Sequence, residues 1–327
     1  MKIIAAVAVI LTATLSAPAH AGPGSSTPSH DSAHAGPHDA IRYASLKGCK
    51  VKSGGTRPCG DWRLVLHSGE RVTLPDAQGV ALQANGKSSR YYAAAIAVSG
   101  NGQRVAYFTK KGRLAVRTLG GGVRLLAKDA LPRMGQWEVT LRLSDDGSRL
   151  AASPGDGETR IFDTGTGDLL GTAPAEALVM GFSADADELL ATVDASESVT
   201  ELVVYGLTGD ERRRFTPPKV IAMNAPQALA ADGRTVASVV AGSKAELVTY
   251  DAEGDRIAGR EKVKLPAGDV VMVDWTGDTQ VTVHLSRYAE GGSRMTVAQI
   301  DSATGAVRVR DRYTLLPDTY VFAACGG

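Results

Sequence analysis

The sequence predicts an all-β protein, a β-propeller with six four-stranded blades. Two kinds of turn recur along the chain, and short β-rich runs separate them. Between the turns no sustained 3.6-residue apolar period of the kind that marks amphipathic helices is found. Many short strands that repeat with a period longer than a hairpin favour a propeller over a single barrel or sandwich.

The first recurring turn is polar, contains Gly or Asp, and leads into an apolar strand. Asn-Gly and Asp-Gly pairs supply the positive φ that tight hairpins need, at low steric cost. The turn and its following strand occur five times, at Ser99–Ala106, Ser144–Ala151, Ser183–Ala191, Ala231–Ala237 and Trp275–Val281.

The second recurring turn follows the next strand and ends in glycine. It occurs six times, ending at Gly69, Gly122, Gly167, Gly209, Gly254 and Gly305. Successive glycines lie 42 to 53 residues apart, which is the length of a four-stranded blade. Six blades over residues 40–323 take about 47 residues each, and seven blades of about 41 residues remain the alternative.

Four strands can be placed within one repeat. For the second complete repeat we predict Glu138–Leu143, Arg149–Ser153, Thr159–Asp163 and Leu169–Thr172. We expect the first of these to lie innermost, beside the central channel.

The remaining repeat is incomplete at the start of the chain. Trp62–Leu66 and Arg71–Leu74 fit its outer strands. The inner strand, which the start of the chain does not supply, fits Thr319–Ala323 near the C-terminus. We therefore expect the N- and C-terminal strands to pair and close the ring, which removes an exposed sheet edge.

The Ser-x-Asp-Gly-x-x-Leu-Ala segment at Ser144–Ala151 resembles the WD40-like and TolB-like β-propeller repeats of secreted bacterial proteins. The resemblance covers residues from about 62 to 315 and implies the propeller fold. The repeats lack the Gly-His and Trp-Asp dipeptides of the strict WD40 signature. The resemblance therefore implies almost nothing about function.

The N-terminus has the pattern of an export signal over residues 1–21. Lys2 precedes the apolar run Ile3–Leu15, and Ala19–Ala21 has the small-x-small pattern of a cleavage site. Residues 22–39 are small, polar and proline-rich, which predicts a flexible tether; its histidines are His30, His34 and His38. Residues 40–327 then form the propeller domain. We expect the protein to be secreted and not to insert into the membrane after the signal is cleaved. Association with the cell wall is an open alternative within this expectation.

The chain has three cysteines, and export favours pairing of two of them. Cys49 and Cys59 bracket a turn-rich loop, so we predict a disulfide between them, with Cys325 left over. Pairing of Cys325 with either partner stays open if the chain ends meet.

Several function classes find no support in the sequence. The net charge is +1 and the basic residues are scattered, so no nucleic-acid footprint is seen. Gly181–Asp185 lacks the final glycine of a serine-hydrolase elbow, and Gly165–Gly171 lacks the spacing of a phosphate-binding loop. We assign no catalytic and no cofactor-binding residue.

A calcium site is the one metal site that the residues suggest. Oxygen-bearing side chains near the predicted inner strands are Glu138, Asn224, Gln227 and Asp274, and hard cations prefer oxygen ligands. No spacing rule ties these residues together, and strand-end residues bonded to the backbone are the simpler interpretation. The metal candidates are therefore Glu138, Asn224 and Asp274.

Two functional hypotheses follow. The first is a secreted, monomeric, non-enzymatic binding module for a protein, peptide or cell-wall ligand, whose loops are held by rigid blades. The exposed aromatic anchors could come from Trp62, Trp137, Trp275, Tyr91 and Tyr92, although Trp137 and Trp275 fall at corresponding places in their blades, which favours blade packing over binding. The alternative is a calcium-dependent propeller hydrolase or lyase acting on a lactone or glycan, which rests on fold analogy alone.

Overall fold

A computed structural model describes residues 39–52, 54–196, 199–242, 244–289 and 292–326. The predicted signal peptide, all but the last residue of the predicted tether, and the three tether histidines lie outside these residues.

The described chain forms six four-stranded antiparallel blades, as predicted. The strands of each blade are given from the innermost outward. Blade 1 contains β26 (Thr319–Ala324), β1 (Ile41–Lys50), β2 (Thr56–Leu66) and β3 (Arg71–Leu74); blade 2 contains β6 (Ile96–Val98), β7 (Arg104–Phe108), β8 (Leu114–Thr118) and β9 (Val123–Leu125); and blade 3 contains β10 (Val139–Leu143), β11 (Arg149–Pro154), β12 (Thr159–Asp163) and β13 (Leu169–Ala173). Blade 4 contains β14 (Leu178–Phe182), β15 (Glu188–Ser196), β16 (Val199–Gly206) and β17 (Glu211–Phe215); blade 5 contains β18 (Gln227–Leu229), β19 (Thr235–Val240), β20 (Glu246–Asp251) and β21 (Arg256–Lys262); and blade 6 contains β22 (Asp269–Trp275), β23 (Gln280–Ala289), β24 (Gly292–Asp301) and β25 (Val307–Thr314).

Two elements lie outside the blades. A two-stranded hairpin, β4 (Val80–Leu82) and β5 (Ser88–Ala93), is inserted between blades 1 and 2. A one-turn helix, α1 (Lys219–Ala222), connects blades 4 and 5. No helix in the described part of the chain has the length and apolarity to cross a membrane.

The two ends of the chain close the ring, which confirms the prediction. β26 pairs antiparallel with β1, with Ser45 opposite Phe322. The buried Ser45 hydroxyl lies 2.9 Å from the Thr319 hydroxyl, and Arg63 donates two hydrogen bonds to the Asp318 carboxylate at 2.9 and 3.0 Å. The C-terminal strand is therefore held by side chains as well as by its ladder.

The hydrophobic core is divided among the interfaces between blades. Six apolar clusters are present in the described residues, and each joins two neighbouring blades. The last of them links Tyr43 of blade 1 with Tyr313 of blade 6, whose rings stack at 5.2 Å. Because each blade buries its two faces against its neighbours, the ring needs all six blades to bury its apolar surface.

A serine hydroxyl stabilises the first recurring turn in blades 2, 3 and 4. The Ser144 hydroxyl donates to the Asp146 carboxylate at 2.6 Å and accepts from the Arg149 amide at 3.0 Å. The same pair of bonds forms at Ser99 and at Ser183. Ser144 is buried, so these bonds satisfy a hydroxyl that water does not reach.

The innermost strands of neighbouring blades run in the same direction. Parallel bridges join Val98 to Cys325 and Ser183 to Leu229. All innermost strands therefore begin at one end of the ring, which we call the hairpin face because β4 and β5 lie there. They end at the turn face, where the serine turns lie.

Candidate functional site

The inserted hairpin forms a platform on the hairpin face. The Tyr320 hydroxyl, at the start of β26, donates to the Tyr91 carbonyl at 2.9 Å. At the other side, the Leu82 amide donates to the Gln136 side-chain oxygen at 2.8 Å, and the Gln136 amide donates to the Leu82 carbonyl at 3.0 Å. The hairpin is thus tied both to the ring-closing strand and to the segment that enters blade 3.

An aromatic pair lies where this hairpin meets blade 3. The rings of Tyr92 and Trp137 stack with centroids 5.0 Å apart and an interplanar angle of 18°. The indole also packs on the backbone of Gly135, where an added Cβ would lie 2.7 Å from the ring. Tyr92 is 53% exposed, and both rings line a cavity of about 390 Å³ together with Gln83 and Asn85.

A second cavity of about 710 Å³ adjoins the first. The two share Gln83, Ala84 and Asn85, so they are contiguous along the hairpin. Four cationic side chains line the larger cavity and no carboxylate does; the cations are Lys111, Arg113, Lys128 and Arg133. Phe108, Leu114 and Met134 are among its apolar lining residues.

The central channel contains a charged cavity of about 160 Å³, lined by Arg142, Asp145 and Asp274. Burial and the nearby Asp145 carboxylate raise the pKa of Asp274 to about 8, against the opposing charge of Arg142. Asp274 retains partial solvent exposure where it lines the cavity. Burial lowers the pKa of Arg142, which donates a hydrogen bond to the Val179 carbonyl at 3.0 Å.

The predicted metal candidates occupy different places. Glu138 lines the smaller cavity of the hairpin face, and its carboxylate accepts from the Gly135 amide at 2.8 Å. Asn224 donates to the Val220 carbonyl at 2.9 Å, and Gln227 donates to the Ile221 carbonyl at 2.8 Å. Asp274 alone lines the channel cavity. Among the described residues, no group of three or more His, Cys, Asp or Glu side chains is arranged to hold a metal ion.

Sequence reasoning missed Arg142 and Asp145 as channel residues. Asp145 follows the serine of its turn, whereas the corresponding residues of the other serine turns are Gly100 and Ala184. A Cβ on Gly100 would overlap the Asp145 carboxylate, so that glycine leaves room for the acid. The available signal for Asp145 was an acidic residue at a position where the other serine turns have Gly or Ala. Nothing in the sequence pointed to Arg142.

The cysteines are arranged as the sequence suggested. Cys49 and Cys59 form a disulfide across the β1–β2 hairpin, with their Cα atoms 5.9 Å apart. Cys325 is a free, buried thiol, and burial raises its pKa to about 12. Such a thiol is protonated at neutral pH and is a poor nucleophile.

The tryptophans divide between packing and exposure. Trp62 and Trp275 belong to the core clusters between blades and are 1% and 7% exposed. Trp137 is half-buried in the stack with Tyr92. Blade packing therefore explains Trp62 and Trp275, the second of which also borders the channel cavity, and Trp137 lines the smaller cavity of the hairpin face.

Exposed apolar side chains concentrate on the hairpin face. In the described part of the chain ten large apolar side chains are exposed, and three of them lie on the outer strands β9 and β13. The strand order places the other seven towards the hairpin face, namely Tyr91, Tyr92, Leu178, Met223, Val271, Tyr288 and Tyr320. Of these seven, Tyr91, Tyr92 and Tyr320 lie together through the contact of the hairpin with β26, and an exposed apolar group of this kind is typical of an interaction surface.

Comparison with known proteins finds no matching family model and no matching curated relative. Among solved structures, a putative TolB from Agrobacterium tumefaciens is similar at 14% identity, over 84% of this chain and 90% of that chain, with a TM-score of 0.45. TolB from Acinetobacter baumannii is similar at 15% identity over 88% and 67% of the two chains, with a TM-score of 0.48. The β-propeller domain of Cps50 (Swd1) from Myceliophteria thermophila is similar at 17% identity over 71% and 70%, with a TM-score of 0.42.

Two of these structures are TolB proteins, one of them described as putative, and the third is a β-propeller domain. At such identities and TM-scores the likeness assigns neither a family nor an activity. The six-bladed propeller rests on the strand order and register of this chain itself.

Proposed function

We propose that this protein is a secreted, non-enzymatic binding module that holds a protein, peptide or cell-wall ligand on its hairpin face. The concentration of exposed apolar side chains on that face carries the proposal. Large aromatic side chains supply contact area at low cost in conformational entropy, as binding hot spots require. The inserted hairpin supports it further, because a segment outside the blades is free to serve recognition.

The disulfide is consistent with the proposed compartment. Disulfides persist in oxidising environments and are rare in reducing ones, so Cys49–Cys59 is compatible with an extracellular or cell-envelope location. Together with the export signal predicted for residues 1–21, it supports secretion.

Adsorption to envelope material tests the proposal. Purified mature protein is mixed with washed cell envelopes and, separately, with immobilised culture proteins of the producing organism, and bound protein is measured against concentration. We expect saturable binding to one of them, and Tyr92→Ala should weaken it roughly threefold or more. Leu169→Ala is the matched control, since Leu169 is 52% exposed on the outer strand β13, and it should bind like wild type.

Two results would overturn the proposal. One is the absence of saturable binding to either fraction. The other is turnover of a lactone or glycan that Asp274→Asn abolishes, which would make the protein an enzyme.

A calcium-dependent hydrolase or lyase is the second candidate, and the carboxylates of Asp145 and Asp274 in the channel cavity favour it. The fit is incomplete, because Ca²⁺ takes six to eight oxygen ligands and the Arg142 guanidinium lines the same cavity. Calcium bound stoichiometrically to the purified protein, and lost in Asp274→Asn, would favour this candidate over the first.

A further inference from the structure

Unbalanced positive charge distinguishes the larger cavity of the hairpin face. Lys111, Lys128 and Arg133 are exposed, and within the described ranges none of them forms an ion pair or a side-chain hydrogen bond. Two other basic side chains of blade 2 are paired: Lys110 contacts Asp61 at 2.8 Å and Arg117 contacts Asp76 at 3.0 Å. The three exposed cations that line the cavity are thus available to an anionic ligand.

The fourth cation is held in place by the backbone. Arg113 donates a hydrogen bond to the Leu126 carbonyl, which fixes its side chain along the cavity wall. A positioned guanidinium suits bidentate recognition of carboxylate or phosphate, because its fork of donors matches those groups.

The smaller cavity has a different chemistry. The flat rings of Tyr92 and Trp137 and the side chains of Gln83, Asn85 and Ser89 line it. Its one carboxylate, Glu138, accepts a hydrogen bond from the Gly135 amide at 2.8 Å, and the four cations line the larger cavity. The C–H faces of a pyranose ring pack on aromatic faces, while amide and hydroxyl groups pair with sugar hydroxyls. Because Gln83 to Asn85 belong to both cavities, a chain molecule can lie across the two.

The cavities do not offer a strand edge to a peptide at Leu82. Both backbone groups of that residue are already bonded to Gln136. Peptides that bind by strand addition need unpaired backbone groups. Strand addition of a peptide at Leu82 is therefore excluded, and recognition there depends on side chains.

We propose that the two cavities form one groove for an anionic glycan. Sugar rings lie against Tyr92 and Trp137, and carboxylate or phosphate groups on the chain lie among Lys111, Lys128 and Arg133. This inference rests on the proposed binding function and names its ligand class.

Isothermal titration calorimetry with defined oligosaccharides tests whether the groove binds an anionic glycan. The anionic probes are hexagalacturonate, which carries carboxylates, and a phosphodiester-linked mannan oligosaccharide, which carries phosphates. Maltohexaose is the neutral glycan and hexaglutamate is the acidic peptide. We expect one or both anionic glycans to bind at least roughly tenfold more tightly than either control, with an affinity that falls as salt rises to about 0.5 M.

Variants locate the site. Replacing Lys111, Lys128 or Arg133 with Ala should weaken the affinity for the anionic glycan roughly two- to fivefold in each single variant. The triple variant should weaken it roughly 20-fold. Lys264→Ala is the matched control, because this exposed lysine lines a separate cavity between blades 5 and 6. Tyr92→Ala should weaken the affinity roughly threefold or more, and Tyr92→Phe should restore it, since the ring face makes the contact.

Three outcomes would overturn the inference: no binding of either anionic glycan, equal binding of hexaglutamate, or equal binding of maltohexaose. If envelope adsorption still depends on Tyr92 in any of these cases, the binding function stands and only the ligand class is wrong. If envelope adsorption also fails, both proposals fail.

Discussion

At the scale of single residues, the carboxyl of Asp274 has the most unusual environment in the channel. It lies next to last on β22, with the Asp145 carboxylate and the Arg142 guanidinium near it. Within the described residues no hydrogen bond to its carboxylate is found, so nothing except Arg142 offsets the cost of ionising it. Sequence pattern identified Asp274 as a channel residue, whereas its charged neighbours come from another blade and could not be read from local sequence.

The pH dependence of stability tests this environment. A folded-state pKa of about 8 lies above the unfolded value of about 4, so the native state keeps a proton that the unfolded chain has lost. The free energy of unfolding should therefore fall between about pH 4 and pH 8, by at most about 1.4 kcal/mol per pH unit from this group. Asp274→Asn should remove that part of the slope in urea unfolding series.

Asp269→Asn, at the exposed start of the same strand, is the control and should keep the wild-type slope. Identical slopes for wild type and Asp274→Asn would contradict the assignment. If millimolar calcium flattens the pH dependence of the free energy of unfolding in wild type and leaves that of Asp274→Asn unchanged, the calcium-dependent candidate is favoured.

At the scale of elements, the turns that define the repeat also pack the blades together. Gly209 ends the second recurring turn of blade 4 with φ +87°, and an added Cβ would overlap the Thr172 carbonyl oxygen of blade 3. The inserted hairpin β4–β5 was not predicted, because its few alternating residues look like any loop between strands.

The strands of blade 3 were predicted to within one residue at each end, because each is bounded by a recognisable turn.

Two alanine substitutions separate turn strain from blade packing. Gly69→Ala places a Cβ at φ +89° with no atom within 4 Å, so it should cost only the strain of about 1–2 kcal/mol. Gly209→Ala has nearly the same φ and also meets the blade 3 backbone, so it should cost about 2 kcal/mol more. Chemical denaturation of both variants measures the difference, and equal costs would show that the close contact contributes nothing.

At the scale of the whole molecule, stability depends on closure of the ring. β26 supplies the innermost strand of blade 1 and pairs with β1. Its Val321 and Phe322 pack against the cores on the two sides of that blade, and the Arg63–Asp318 ion pair anchors its start. Without β26, the inner edge of β1 and two interblade cores would face solvent.

Truncation after Asp318 tests the role of this strand. The shortened chain should unfold with a midpoint lower by roughly 10 °C or more, because two interblade cores lose apolar cover. A synthetic peptide of residues 317–327 added in trans should recover part of the loss, and a scrambled peptide should not. An unchanged midpoint in the truncated chain would mean that the other five complete blades hold the ring without it.

The sequence by itself determined the architecture, because each strand is bounded by a turn whose residues are chemically specific. Asp146 and Gly147 specify their hairpin wherever the chain goes, and the six turns that end in glycine favour six blades over seven. The sequence also brought Cys49 and Cys59 together, since one short loop joins them. Only the tertiary structure decided which side chains share a cavity. Tyr92 meets Trp137, Lys111 comes near Arg133, and Asp145 comes near Asp274 through contacts between different blades or with the inserted hairpin. A local pattern cannot encode such contacts, because they depend on how neighbouring sheets twist and stack around the ring.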